Sequence, residues 1–319
     1  MSHAAGAAST SRSSHPRTLV VAVNPTAAFG AHRDAGDRAV AAYRQRGHTV
    51  TVVVAADFDA LVEATREALR SPPDALVVVG GDGMTNLGTT LLAHTAVPLG
   101  IIPCGTGNDL ARGLGLPVND VPAAVEESLD ALDRGPRVID AATATFTGGE
   151  VRWFVGVLSA GFDAAVNERA NGLRRPRGAS RYILALLIEL VRLRPIGYRL
   201  ELDGVDRRES ALMVSVGNNV SIGGGMRVTP DALLDDGLVD VMVVRSLSRF
   251  AFLRIFPRVF AGTHLSDPRV SVVRARSVRI EAKGVVAYAD GERMGALPVD
   301  ITVHPGALRV LAPARRADV

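Results

Sequence analysis

The sequence predicts two unlike halves, an α/β unit on a parallel sheet followed by a mainly antiparallel β domain. Three observations predict it. Short β-branched runs alternate with helical patterns from residue 18 to residue 132. Near Gly135 that alternation gives way to short strands separated by glycine-containing turns. Across 319 residues, 47% hydrophobic against 22% charged is the balance of a globular chain with enough apolar material for a core.

In the first half, Thr18–Asn24 (TLVVAVN) is apolar without alternation, as a parallel strand buried on both faces requires, and it ends at Pro25. Asp34–Arg46 carries Ala and Val at helical spacing and stops at Gly47. Thr49–Val54 is a second strand. Asp57–Arg70 is a helix with Leu61, Val62, Ala64, Ala68 and Leu69 inward, stopped by Pro72-Pro73. Ala75–Val79 is a third strand, Thr85–Ala93 a helix, Leu99–Ile102 a fourth strand and Val121–Leu132 another helix. The second half reads as strands at Val138–Phe146, Val151–Leu158, Tyr198–Leu202, Ala211–Val216, Leu238–Val244, Val270–Val273, Ser277–Ala282, Val285–Tyr288 and Val299–Val303. Two helical insertions interrupt them, Ala179–Leu193 and Arg249–Ala261.

Composition excludes several classes. Lys plus Arg is 36 against 33 for Asp plus Glu, a net charge of only +3, without the basic block of a nucleic-acid protein. The one lysine, Lys283, is followed by Gly284, so no Walker A loop is present. One cysteine, Cys104, allows neither an internal disulfide nor a cysteine metal cluster, and fits a reducing cytosol. Residues 1–16, rich in Ala, Ser and Gly, read as a disordered tail rather than a signal peptide. The longest apolar run, Ile183–Leu190, contains Glu189 and falls far short of the ~20 residues that span a bilayer. Its all-round apolar character predicts burial. Arg249–Ala261, with Phe252, Phe256 and Phe260 four residues apart, reads either as a basic amphipathic helix resting on anionic lipid or as a core helix broken at Pro257.

Three polar or glycine-rich loops follow strand ends and so share one edge of the parallel sheet, where such sheets bind ligands: Asn24–Gly30, Gly80–Asn86 and Gly105–Asp109. Gly80-Gly81-Asp82-Gly83 permits close backbone approach, an anion-binding nest at the start of a helix. Asp82 either meets a Mg²⁺ beside phosphates, accepts a proton, or caps the helix. Gly105-Thr106-Gly107-Asn108-Asp109 repeats the pattern with a hydroxyl and an amide, and Asn24-Pro25-Thr26 does so on a Pro-stiffened turn. Asp290-Gly291 is a hairpin signal that can also present an acid.

Gly80-Gly81-Asp82-Gly83, the run from Gly105 to Arg112 (GTGNDLAR) and Asp290-Gly291-Glu292, in this order, resemble the diacylglycerol kinase catalytic-domain family, which includes bacterial lipid kinases and sphingosine and ceramide kinases. The resemblance runs from about Thr18 to Leu311. It implies an ATP-binding α/β domain similar to phosphofructokinase and NAD kinase over 17–135, joined by a C-terminal strand in 305–319, and a lipid-binding β-sandwich over 136–304. It implies ATP contacts at Asn24, Pro25, Thr26, Gly80, Gly81, Asp82, Gly83, Asn86, Gly105, Thr106, Gly107 and Asn108. It implies an acidic reaction centre of Asp290, Glu292 and Asp82, lipid contacts at Asp163 and Asp109, and a structural Mg²⁺ at Asp236 with the carbonyls of Leu233 and Leu238. Asp82 would meet the Mg²⁺ of Mg-ATP, directly or through water. The chain departs from the pattern at Ala28, Met84 and Leu87, where glycine, threonine and glutamate are usual; Met84 removes a hydroxyl from the phosphate site.

The expected activity is γ-phosphoryl transfer from ATP to a lipid alcohol, diacylglycerol first, by a cytoplasmic protein that is peripheral on the inner membrane leaflet, with homodimerisation open. Asp290, Glu292 and Asp82 stay open as the general base. Asp163 serves either as an acid toward the lipid head group or as a cap for the segment after it. The rival readings are a sphingosine- or ceramide-type kinase, an NAD kinase, which shares GGDG, and a non-catalytic nucleotide or lipid sensor, suggested by Ala28, Met84 and Leu87.

Overall fold

The computed structural model describes residues 15–24, 34–173, 175 and 179–315. The first half is β1 (Thr18–Val23), α1 (Ala35–Gln45), β2 (Thr49–Val53), α2 (Phe58–Ala68), β3 (Ala75–Gly80), α3 (Asp82–Leu92), β4 (Leu99–Pro103), α4 (Asp109–Leu114) and α5 (Val121–Arg134). Its strands lie parallel in the order β2-β1-β3-β4. The apolar runs are continuous because both faces are covered. Val20, Ala22, Leu76 and Val78 pack with Leu61, Leu87, Leu110 and Leu114 of α2, α3 and α4. Leu19, Val21, Val77 and Val79 pack on the other side with Ala39, Val40, Tyr43, Ala124 and Val125 of α1 and α5. Asp57 and Asp120 cap α2 and α5 by accepting the N–H groups of Ala60 and Ala123. The structure adds α4 and starts α3 three residues before the expected Thr85, because the carbonyl of Gly81 already accepts the N–H groups of Met84 and Thr85.

The second half is antiparallel: β5 (Arg137–Phe146), β6 (Val151–Phe154), β7 (Val157–Gly161), α6 (Phe162–Gly172), α7 (Ala179–Val191), β8 (Ile196–Leu202), β9 (Val205–Gly217), β10 (Val239–Arg245), α8 (Arg249–Ile255), α9 (Arg258–Ala261), β11 (Val270–Ala275), β12 (Ser277–Glu281), β13 (Val286–Ala289), β14 (Glu292–Ala296) and β15 (Val299–Val310). Its strands form a β-sandwich around Phe154, Leu158, Leu200, Val214, Val241, Ile280 and Ile301. The single strand expected over Val151–Leu158 is two, β6 and β7, and α6 and β14 are additional. The broken helix expected over Arg249–Ala261 is α8 and α9, with Pro257 between them. Phe252 is buried while Phe260 is exposed, so the segment is part core and part surface. Arg258 donates to the carbonyl of Thr263 and to Ser266, which spends it on its own turn.

β15 joins the halves. Val299–His304 pairs with Ala141–Phe146 of β5, and after a bulge Leu308–Val310 pairs with Arg137–Ile139, with Val310 beside Leu99 of β4. Asp140 pins that bulge: its carboxylate accepts the N–H of Gly306 at 2.7 Å and that of Gly237 at 2.6 Å.

The expected tail over 1–16 lies outside the described residues as far as Ser14, and so do Pro25, Thr26, Ala28 and Gly30 of the first loop.

Candidate active site

The second and third loops stack backbone on backbone at the carboxyl ends of β3 and β4. A Cβ on Gly105 would stand 2.3 Å from the Cα of Gly81, and one on Gly107 would stand 2.2 Å from Oδ2 of Asp82. Only glycine fits either place. Asn108, in the left-handed region at φ 56°, closes the third loop on itself: its Oδ1 accepts the N–H of Gly105 at 3.0 Å and its Nδ2 donates to the carbonyl of Gly105 at 2.6 Å. It is buried, so its amide shapes the loop.

Asp82 ties the two loops together. Its Oδ2 accepts the N–H of Asn108 at 3.0 Å and its Oδ1 that of Asp109 at 2.8 Å. It does not cap α3; Gly81 stands at that position, without a side-chain cap. Burial raises its pKa first and the charge of Asp109 second, and the backbone N–H groups oppose both. Asn24 reaches the same corner, its N–H on the carbonyl of Val79 and its Cβ 3.8 Å from the place of a Cβ on Gly80. Thr106 is exposed at the loop tip. Asn86 points elsewhere, donating to the carbonyl of Trp153 at 3.3 Å and accepting from Thr90.

From the sandwich, Asp290 arrives at the turn between β13 and β14, in the left-handed region at φ 52°. Its carboxylate accepts from the N–H groups of Val155 (3.4 Å), Gly156 (3.3 Å) and Val157 (3.3 Å) at the joint between β6 and β7. A Cβ on Gly156 would stand 1.8 Å from Oδ1 of Asp290. Burial, and after it the charge of Asp82, push the Asp290 carboxyl up to about 7. Oε1 of Glu292 lies 3.7 Å from the place of a Cβ on Gly83, so the exposed third acid faces the second loop. Asp290 and Glu292, more than two hundred residues beyond Asp82 in sequence, thus converge with it between the two halves.

Both carboxylate oxygens of Asp109 are engaged by backbone. Oδ2 accepts the N–H of Gly224 at 2.9 Å and Oδ1 that of Gly225 at 3.0 Å, while its carbonyl accepts from Asn219 at 3.0 Å. It is a clamp between the third loop and a turn of three consecutive positive-φ glycines, Gly223–Gly225. Sequence reasoning misses that turn, although the run of three glycines is its signal. Asp163 sits in the first turn of α6, half-buried, with Oδ1 lacking a partner and its pKa raised by burial against a hydrogen bond with Ser159.

Met84 and Leu87 are core residues, packed with Val78 and Leu110. The Met84 side chain lies beneath the second loop, its Cγ 2.5 Å from the place of a Cβ on Gly80.

Asp236 accepts the N–H of Leu238 at 3.0 Å, and Arg274 lies 3.8 Å from its other oxygen and 3.2 Å from Oδ1 of Asp240. Asp236 thus has one oxygen on a backbone N–H and the other near the Arg274 guanidinium that it shares with Asp240. Among the described residues no three acidic or His/Cys side chains form a metal cage, but at the reaction centre two mutually repelling carboxylates fit a Mg²⁺ that arrives with phosphates and keeps most of its waters.

The diacylglycerol kinase catalytic domain family matches residues 18–144, and the YegS C-terminal NAD kinase beta sandwich-like domain matches residues 156–312. A diacylglycerol kinase of Mycobacterium tuberculosis (strain H37Rv) is 40% identical over 291 residues, covering 91% of this chain and 93% of its own length. One from Bacillus subtilis (strain 168) is 26% identical over 282 residues, covering 86% and 90%. Among solved structures, a diacylglycerol kinase from Bacillus anthracis str. Sterne has a TM-score of 0.68 at 22% identity, covering 93% of this chain and 97% of its own. An NAD kinase from Archaeoglobus fulgidus in complex with ATP has a TM-score of 0.50 at 14% identity, with 92% of each chain covered. These two structural likenesses bear on the fold alone.

Three outcomes are expected from this geometry. Gly105→Ala should abolish activity and lower the melting temperature, since the clash is with backbone; wild-type turnover would mean that the loops are not stacked. Met84→Thr should destabilise by about 2–3 kcal/mol through lost core packing and leave the KM for ATP within about twofold, read by denaturation and steady-state kinetics. Asp109→Ala strands two glycine N–H groups at about 1–3 kcal/mol each. It should lower kcat by at least tenfold with little change in the KM for ATP, and a rise in the lipid KM alone would return Asp109 to substrate binding.

Proposed function

The chain belongs to the diacylglycerol kinase catalytic-domain family and is a lipid kinase, and from that premise we propose that it transfers the γ-phosphoryl group of ATP to the hydroxyl of diacylglycerol. The observation that carries the reading is Asp290: a carboxyl with its pKa near neutrality, held by three backbone N–H groups beside the stacked glycine loops. A sphingosine- or ceramide-type acceptor would use the same centre, and no observation favours it.

We assign the nucleotide phosphates to the loops Gly80–Gly83 and Gly105–Gly107, with the hydroxyl of exposed Thr106 and the backbone of Asn24 at their edge. Phosphoryl transfer is mostly positioning and charge neutralisation, so rigid, preformed loops are the main requirement. Asp82, both of whose oxygens already hold backbone N–H groups, would hold Mg²⁺ through water, and Glu292 faces the same space. When bound, Mg²⁺ supplies the neutralisation of phosphoryl charge. Asp290 accepts the proton of the attacking lipid hydroxyl, since a base with a pKa near the working pH combines adequate ionisation with driving force. Asp163, unpartnered at one oxygen, is proposed to meet the polar head of the acceptor. Asn86, Asn108 and Asp109 act by shaping the site. The nucleotide unit is proposed to be 17–135 with 305–319, and the lipid unit 136–304. Among the described residues no helix is long and apolar enough to cross a membrane; we place the protein in the cytoplasm, working peripherally at the inner leaflet.

Radiolabelled ATP incubated with a total lipid extract should yield labelled phosphatidic acid on chromatography; a labelled product absent from the lipid phase would overturn the reading.

The sign of the pH dependence follows from Asp290. Its base form exists above its pKa, so kcat/KM should rise with pH through a limb near 7, and Asp290→Asn should remove that limb and cost about 10²–10⁴-fold in rate. A carboxyl raised from its ordinary 3.8 to about 7 in the folded state costs stability as pH climbs between those values. Asp290→Asn should therefore melt higher than wild type at pH 8 and close to it at pH 4. An unchanged limb would assign the proton to Glu292 or Asp82.

A further inference from the structure

The sequence predicts a buried α7, and the structure overturns this. Ile183, Leu187 and Val191, at i, i+4 and i+8, are 60%, 52% and 69% exposed. Ala185 and Leu190 face inward. Beside them α8 turns Phe250 (87% exposed) and Leu253 outward while burying Phe252 and Ile255. The two helices are stitched together by Arg249, which donates to the carbonyls of Leu190 and Val191 at the end of α7. Two exposed apolar helix faces thus meet at the Arg249 contact, where isolated exposed apolar residues would have needed no explanation.

The charges around it are one-sided. Residues 179–194 and 248–255 contain five arginines and a single acid, Glu189. That acid is paired with Arg169 of α6. Arg192, Arg194, Arg249 and Arg254 are exposed at the edge of the apolar face. An apolar strip edged by arginines and free of unpaired carboxylates is the complement of a bilayer surface with negative head groups. A two-fold contact between copies would set the arginines of one molecule against those of the other, which disfavours a second copy as the occupant. On its inner side α7 packs against α6, whose first turn carries Asp163.

We propose that the outer faces of α7 and α8 form a membrane-insertion platform that seats the protein on an anionic leaflet, with Ile183, Leu187, Val191, Phe250 and Leu253 entering the acyl boundary. The platform deepens the lipid-kinase reading and rests on it for its purpose. It puts the half-buried acceptor acid one helix away from the lipid.

The test uses the whole chain and reads binding apart from turnover. Vesicles of phosphatidylglycerol with phosphatidylcholine should sediment wild type, and pure phosphatidylcholine vesicles much less. Ile183→Ser with Leu187→Ser should weaken partition at least ~tenfold, and Arg192→Glu with Arg194→Glu should remove the preference for anionic vesicles. Both variants should phosphorylate a dispersed short-chain diacylglycerol within about twofold of wild type. Should the serine variant fold poorly, Leu187→Trp gives a second measurement: its emission should shift to the blue on vesicles and be quenched by brominated lipid beyond the contribution of Trp153. Wild-type partition by the serine variant would overturn the platform, and so would emission from the Leu187→Trp variant that bound vesicles leave unmoved. Light scattering that shows a wild-type dimer split by the serine substitutions would overturn it too. A wild type that binds vesicles but phosphorylates no diacylglycerol, dispersed or membrane-borne, would instead sink the kinase reading and leave the platform standing.

Discussion

Buried and half-buried carboxylates that accept backbone N–H groups from other segments fix the loops near where the halves of this molecule meet. Asp82 gathers the amides of Asn108 and Asp109, and Asp109 those of Gly224 and Gly225. Asp290 gathers the amides of Val155, Gly156 and Val157, and Asp140 those of Gly237 and Gly306. Each fixes a loop that has no sheet or helix partner of its own. A backbone N–H left unpaired in such a place costs about as much as a lost hydrogen bond, and a charged acceptor makes the bond stronger than a neutral one would. Glycines recur opposite these carboxylates because any Cβ would occupy the acceptor's space, as at Gly107 and Gly156.

The same arrangement produces the chemistry. Burial at this seam, and after it the like charges gathered there, raise the pKa of Asp82 and Asp290. Asp82 is raised by burial and then by the charge of Asp109 against the pull of its amides, while Asp290 rises to about 7. Architecture and proton affinity thus share one cause. The seam lies outside the carboxyl ends of β3 and β4, where a parallel sheet leaves its loops free of ladder bonds.

The helices inserted in the sandwich have two unlike sides. Phe162, Ala185, Leu190, Met242 and Phe252 close a core against β9 and β10, while the outward residues of α7 and α8 stay apolar. A helix that is apolar all round is ordinarily buried on all sides. Here only one side finds protein, and the pattern in the sequence cannot tell which.

Much of the fold is legible in the residues. β1, β3 and β4 read correctly because burial on two faces demands unbroken apolar runs, and α2 and α5 because Asp57 and Asp120 mark their starts. Helix α6 (FDAAVNERANG) escapes because its apolar spacing is weak, and β14 because its residues hide behind the Asp290-Gly291 turn. The glycine loops are legible as places of close backbone approach, since only glycine tolerates them. What the acids do there is not. Every residue but proline offers an N–H, so no side-chain pattern announces that Asp109 clamps Gly224 and Gly225, or that Asn86 turns to Trp153. Composition and spacing alone determined the parallel sheet and its loop edge, and the family resemblance of the motifs pointed to the acids. Only the tertiary structure decided which backbone amides each acid holds and which carboxyl is raised toward neutrality, because burial and the choice of amide partners are set by segments more than a hundred residues apart.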